Sequence, residues 1–351
     1  MAPIFSGSKF GFGRVNAAGG GRTLDYIAIG RDGSPFIAVY PWDSGFGAKV
    51  SNPSPLPGGG AYGIKWSPDG ATIAMATTGT PFIEAYAWSA SGFGAKYSNP
   101  STLPSAEGTD IDFSPDGSAI AVTQEASPWI NVYAWSGSGF GAKYSDPASG
   151  LSDRGQAVEF SPDGANILVG SNGSPYIHAY PWSGSGFGTK YSNPSTLPPN
   201  GLRAISFSPD GATVAMAHLS SPYVTVYPWS GSGFGTKYAN PSTLPASQGF
   251  GVDFSPDGSN IVVGHDGSPF ISAYPWSGSG FGAKYANPAT LTPDQAITVR
   301  FSPDGADIAM SHSQSPYIAV WAWTGSGFGA KYADPSSGVG GTGRGLAFSP
   351  A

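Results

Sequence analysis

Asp110-Ile111-Asp112-Phe113 alternates polar and apolar side chains, the period of a strand with one face buried. Ser114-Pro115-Asp116-Gly117 follows as a turn, with Pro presetting φ at its second position and Gly supplying a left-handed residue. Ala119-Ile120-Ala121-Val122 is apolar without a break, which predicts a strand buried on both faces. After a polar connection, Pro128 opens a third strand, Trp129-Ile130-Asn131-Val132-Tyr133, that ends at Trp135. Ser136-Gly137-Ser138-Gly139 leads into a fourth, Phe140 to Tyr144, and Asp146-Pro147 starts the onward connection.

This pattern recurs along the whole chain. Ser-Pro-Asp-Gly or its truncated form begins at Ser67, Ser114, Ser161, Ser208, Ser255, Ser302 and Ser349, each step being 47 residues. The tryptophan ending the third strand recurs at Trp42, Trp88, Trp135, Trp182, Trp229, Trp276 and Trp323. A fixed period of this length marks a repeat architecture. Four short strands in hairpin succession per repeat predict an all-β, seven-bladed β-propeller of four-stranded antiparallel blades. The chain enters at a second-strand equivalent, Tyr26-Ile27-Ala28-Ile29, and ends just after a first strand, Gly345 to Phe348. The C-terminal first strand is therefore expected to complete blade 1 and close the ring, leaving no open sheet edge between the termini. Residues 1–22 are expected to form an N-terminal arm and 23–351 a single propeller.

Composition changes this picture little. Charged residues make up 11% of the chain, and the net charge of −6 with a pI near 5.1 argues against nucleic acid. Gly 53 and Pro 33 sit at fixed turn positions rather than in tracts, so disorder is not implied. There is no cysteine, no Sec-type signal peptide and no apolar run long enough to insert in a membrane. No cofactor motif is present, and no cofactor is expected.

Phe-Ser-Pro-Asp-Gly after an alternating strand, then Ile-Ala, then Ile-x-Val-Tyr resembles WD-repeat propellers over the whole chain. The Trp-Asp that ends a WD third strand is here Tyr40-Pro41, Tyr86-Ala87, Tyr180-Pro181 or Tyr227-Pro228, and the Gly-His pair is missing. The chain is WD-like rather than a member. Its Ser-Gly-Phe-Gly-(Ala/Thr)-Lys-Tyr block is similar to repeats of uncharacterised bacteriophage and bacterial propellers. The resemblance implies a rigid, non-enzymatic docking platform, with a virion surface or extracellular setting.

Candidate residues follow from comparing the copies. The turn aspartates Asp69, Asp116, Asp163, Asp210, Asp257 and Asp304 are each alone and read as turn formers rather than calcium ligands. One lysine per blade, Lys49, Lys96, Lys143, Lys190, Lys237, Lys284 and Lys331, lies on the outermost strand, where it blunts edge pairing or forms a rim belt. The neighbouring phenylalanines, Phe46 to Phe328, read as packing between blades, with a sugar platform as the rival. His218, His265 and His312 end the second strand of three consecutive blades, a slot that holds Arg31 in the first; their spacing is too wide for one zinc. His178 reads as an exposed third-strand position. An inner ring carries Lys65, Asp112, Glu159, Ser206, Asp253 and Arg300, whose opposite charges suggest mutual compensation; Asp112 and Glu159, near Asp110, are a candidate acid–base pair. Loops after the second and fourth strands vary and share one face. Tyr62, Arg203, Phe250 and Arg344 at its tips, with Arg31 and the three histidines, are candidates for contact with a protein partner or larger assembly.

The function expected from these readings is a non-enzymatic structural scaffold, a bacteriophage virion component such as a capsid decoration or tail-associated protein. A glycan-binding lectin with one site per blade is the first alternative, and a lactonase-like hydrolase in the central channel is the second.

Overall fold

The computed structural model describes residues 25–350. The expected arm, residues 1–22, lies outside them. Blade 1 begins with β1 (Asp25–Arg31) and β2 (Ile37–Trp42). Blade 2 holds β3 (Ala61–Trp66), β4 (Thr72–Thr77), β5 (Ile83–Ser89) and β6 (Gly92–Lys96); blade 3 holds β7 (Gly108–Phe113), β8 (Ala119–Gln124), β9 (Ile130–Trp135) and β10 (Phe140–Lys143). Blade 4 is β11 (Gly155–Phe160), β12 (Asn166–Ser171) and β13 (Ile177–Pro181), and blade 5 is β14 (Leu202–Phe207), β15 (Thr213–His218) and β16 (Val224–Pro228). Blade 6 is β17 (Gly249–Phe254), β18 (Asn260–His265) and β19 (Ile271–Pro275). Blade 7 is β20 (Ala296–Phe301), β21 (Asp307–His312), β22 (Ile318–Trp323) and β23 (Phe328–Lys331). The last strand, β24 (Gly343–Phe348), pairs antiparallel with β1, so blade 1 runs β2-β1-β24.

Each first strand touches the first strand of the next blade, and β24 touches both β3 and β20, so the seven form a closed ring. The all-β propeller and its closure by the C-terminal strand are as the repeats predict. Trp129, expected inside a third strand, instead has φ of 65° and donates its N–H to Ala126 O at 2.7 Å; β9 starts one residue later.

The fourth strand departs from expectation. It is regular in blades 2, 3 and 7 alone, and elsewhere shrinks to one bridge, Trp42↔Phe46, Trp182↔Phe187, Trp229↔Phe234 or Trp276↔Phe281. The residue before the tryptophan separates the groups: Ala87, Ala134 and Ala322 in the first, Pro41, Pro181, Pro228 and Pro275 in the second. The carbonyl at this position points at the fourth strand, since Gly188 N–H donates to Pro181 O at 2.8 Å. The N–H of the same residue would point the same way, and proline has none to give.

Hydrophobic clusters lie between consecutive blades. Tyr26 of blade 1 packs on Trp88 of blade 2 at 5.1 Å between ring centroids, and Trp88 also meets Trp66 and Phe93 edge to face. The rim phenylalanines repeat this contact, as in Phe140 on Trp135 at 5.0 Å, so they serve packing rather than an open platform for sugars. In the first turn Ser67 Oγ donates to Asp69 Oδ1 at 2.5 Å, Ala71 N–H donates to the same oxygen at 3.0 Å, and Gly70 has φ of 69°. The serine bond, then the amide bond, hold the Asp69 carboxyl below its ordinary range. These aspartates build turns.

Candidate functional site

A first strand has its second strand on one side and the channel on the other, so alternate backbone N–H groups face the channel without a ladder partner. Side chains of the preceding blade supply acceptors. Asp112 accepts from Phe160 N–H at 2.8 Å, Glu159 from Phe207 N–H at 3.3 Å, Ser206 from Phe254 N–H at 3.3 Å and Asp253 from Phe301 N–H at 2.7 Å. Asp110 does the same one pleat higher, accepting from Val158 N–H at 3.0 Å. The inner ring of polar residues thus staples neighbouring blades together.

The ring is not neutralised evenly. Lys65 pairs with Asp112 at 2.9 Å. Burial alone would pull the Lys65 ammonium down, but Asp112 and then Glu159 leave it raised. Glu159 is pushed up to about 8, chiefly by burial, against the opposing pull of Lys65. Burial also raises Asp110 and Asp253, with Arg300 opposing it in both. These groups line one central cavity of about 740 Å³, within the range of small-molecule sites.

Its mouth is built by the variable second residue of each first strand. Tyr62, Arg203, Phe250 and Arg344, expected on this face, do meet there, with Gln156 and Ile297 between them. Arg344 forks onto Asp32 at 2.8 and 2.9 Å and lies 5.1 Å from the Tyr62 ring centre. Arg203 donates to Gln156 Oε1, and its Nε is buried without a partner among the described residues. Loop residues Glu125 and Arg154, paired at 2.9 Å, also reach the mouth; nothing in the repeat pattern singles them out.

The other candidates lie elsewhere. His218, His265 and His312 are 0% exposed, and Arg31 is 4% exposed. They end strands sandwiched between neighbouring blades, so they are not displayed to a partner. His178 is also buried, contrary to its expected exposure, because the third strand faces packed blades on both sides; its Nε2 lies 3.2 Å from Ser171 Oγ. Burial lowers all four imidazoles to about 4. Among the described residues no three His, Asp or Glu side chains converge as a metal site. The rim lysines fold back on their own loops, Lys49 onto Asn52 at 2.8 Å and Lys190 onto Asn193 at 2.7 Å, with Lys143, Lys237, Lys284 and Lys331 held likewise. Lys96 instead turns inward to Glu84 at 2.6 Å.

No protein-family profile and no curated protein matches the chain. Solved structures do share its fold. A "putative 6-phosphogluconolactonase" from Bacteroides uniformis ATCC 8492 aligns with a TM-score of 0.73 at 15% identity, covering 93% of this chain and 100% of that one. Another so described, from Bacteroides fragilis NCTC 9343, gives 0.74 at 13% identity, covering 93% and 98%. A protein from Lactobacillus plantarum gives 0.71 at 14% identity, covering 93% and 99%. At such identities the likeness is one of fold. It nonetheless corrects the reading drawn from the repeats. Two of these three proteins are named for lactone hydrolysis. The expectation of a non-enzymatic, phage-borne platform is replaced accordingly.

Proposed function

We propose that the protein is a hydrolase of sugar-acid lactones that works in its central channel. The observation that carries this reading is Glu159, a channel carboxyl held at about 8 and flanked by Lys65, Asp112 and Arg300. The names of two fold neighbours point the same way. Near neutrality both protonation states of such a carboxyl are accessible, as acid–base work requires. The ionised form takes a proton from water as its oxygen adds to the lactone carbonyl. The carbonyl oxygen becomes an oxyanion, which Lys65 and Arg300 stabilise. When the ring C–O bond breaks, Glu159 returns the proton to the leaving oxygen, and a hydroxy acid results. Arg203 at the mouth is placed to orient a polar or anionic substituent.

The test is a pH-stat assay of the purified chain on six-membered sugar lactones, phosphorylated and not, beside Glu159→Gln. The amide still accepts from Phe207 N–H, so the blade staple survives while proton transfer does not. A fall in kcat of about 100-fold or more is expected. No turnover of any lactone, or unchanged turnover in the variant, defeats the proposal.

A further inference from the structure

In each blade three positions meet behind the end of the second strand: its last residue, the second residue of the third strand, and the rim lysine. Blade 2 fills them with Thr77, Glu84 and Lys96. The Glu84 carboxylate, 1% exposed, accepts from Lys96 Nζ at 2.6 Å and from the backbone N–H of Gly58, in the preceding loop, at 3.1 Å. Blade 3 answers the corresponding loop N–H, that of Ser105, with Gln124 Oε1 at 2.8 Å. In blades 5 and 7 the loop position is Pro199 or Pro293, which has no N–H to satisfy.

Blade 1 differs from both blade 2 and blade 3. Its three residues are Arg31, Ala38 and Lys49, and the loop residue is Gly340. Ala38, 1% exposed, has replaced the carboxylate of blade 2. Burial, then the nearby charge of Arg31, lowers the proton affinity of the Lys49 ammonium, which donates to Asn52 Oδ1 at 2.8 Å. Arg31 is 4% exposed, and its Nε is buried without a partner among the described residues. Its guanidinium reaches Gly340, where an added Cβ would lie 2.6 Å from Nη1. The nearby Tyr40 hydroxyl is spent on Ser337 O at 2.6 Å. Burying a guanidinium without an acceptor is costly, and natural sites pair it.

We propose that blade 1 binds a small anion of carboxylate size between Arg31 and Lys49, in the space that Glu84 occupies in blade 2. The site lies outside the channel and does not depend on the lactonase reading. The loop carrying Gly340 joins β23 to β24, so the anion would tie the C-terminal strand's approach to β1 and strengthen ring closure.

Thermal unfolding of the full chain in sodium formate, with ionic strength held constant by bulky sodium HEPES, tests this. A saturable rise in Tm up to about 100 mM formate is expected, since a ligand that binds the folded state alone stabilises it. Arg31→Thr, the blade 2 residue, should abolish the response and be more stable than the parent without formate. Ala38→Glu should supply the carboxylate internally, raising Tm and removing the response. A parent chain indifferent to formate overturns the proposal, as does an Arg31→Thr chain that still responds. Should Ala38→Glu fail to fold, the Arg31→Thr comparison decides.

Discussion

Trp42 of blade 1 donates its indole N–H to Asp307 Oδ2 of blade 7 at 2.8 Å, a buried bond across the seam where the ring closes. Asp307 also accepts from the Tyr332 hydroxyl at 2.8 Å. At this position other blades carry Thr72, Ala119, Asn166, Thr213 and Asn260, so the carboxylate is peculiar to the seam. Asp307→Ala leaves a buried indole N–H unsatisfied and removes a charged acceptor, together costing about 3 kcal/mol. Asp307→Asn keeps an acceptor and should lose about half of that. Urea unfolding of the three chains measures both; an alanine variant as stable as the parent refutes the seam's role.

Glu159 links the channel to stability. Its folded-state affinity for protons is raised to about 8, above the ordinary glutamate value of the unfolded chain. The folded state therefore binds more protons between those values, and stability falls as pH rises through 8. The stabilising contribution is complete below the unfolded value, near pH 4. Glu159→Gln should flatten this slope, gaining about 3 kcal/mol on the parent between pH 6 and pH 9. Tm measured from pH 6 to 9 in both chains checks it, and parallel curves count against a buried, protonated Glu159.

The fold was legible because the first three strands of the blade are each written seven times, so one copy's ambiguity is removed by the others. The channel was legible as residues but not as chemistry. Glu159, Asp253 and Arg300 stand in sequence as a ring of mixed charge, which reads as mutual compensation. Their altered proton affinities come from burial and from which neighbour each faces, and a one-dimensional pattern carries neither. His178 shows the same limit: alternation along a strand tells one face from the other, but in a propeller both faces of a third strand are covered. Arg31 was singled out by position, but its burial, 4% exposed, and the Ala38 that stands where blade 2 has Glu84 appear only in the structure.

The proline rule for the fourth strand was also visible in the sequence, at Tyr-Pro-Trp against Tyr-Ala-Trp, and can be reversed. Ala134→Pro in blade 3 removes the N–H facing β10 and should cost about 1 kcal/mol, with loss of amide protection over residues 140–143. Pro181→Ala in blade 4 restores a donor and should extend the Trp182↔Phe187 bridge into a strand. Hydrogen exchange read by mass spectrometry distinguishes the two. Equal exchange in Pro181→Ala and the parent would show that the loop sequence, rather than the missing N–H, limits the strand.

Acid should open the propeller through its histidines. His178, His218, His265 and His312 are all buried, and burial holds each at about 4 rather than 6.5. A depressed folded value means that the unfolded chain takes up protons first. Each ring's contribution is present above pH 6.5 and is lost as pH falls through 4. The loss is on the order of 3 kcal/mol per ring, and among the described residues no carboxylate lies close enough to His218 or His178 to oppose it. Lys237 and Lys190 lie near those two rings and repel the added proton instead. Replacing His218, His265 and His312 by glutamine, the residue blade 3 uses at Gln124, should leave Tm near pH 7.5 little changed and raise it at pH 4.5. If the variant and the parent lose stability in step between pH 7 and 4.5, the carboxylates rather than these imidazoles govern acid unfolding.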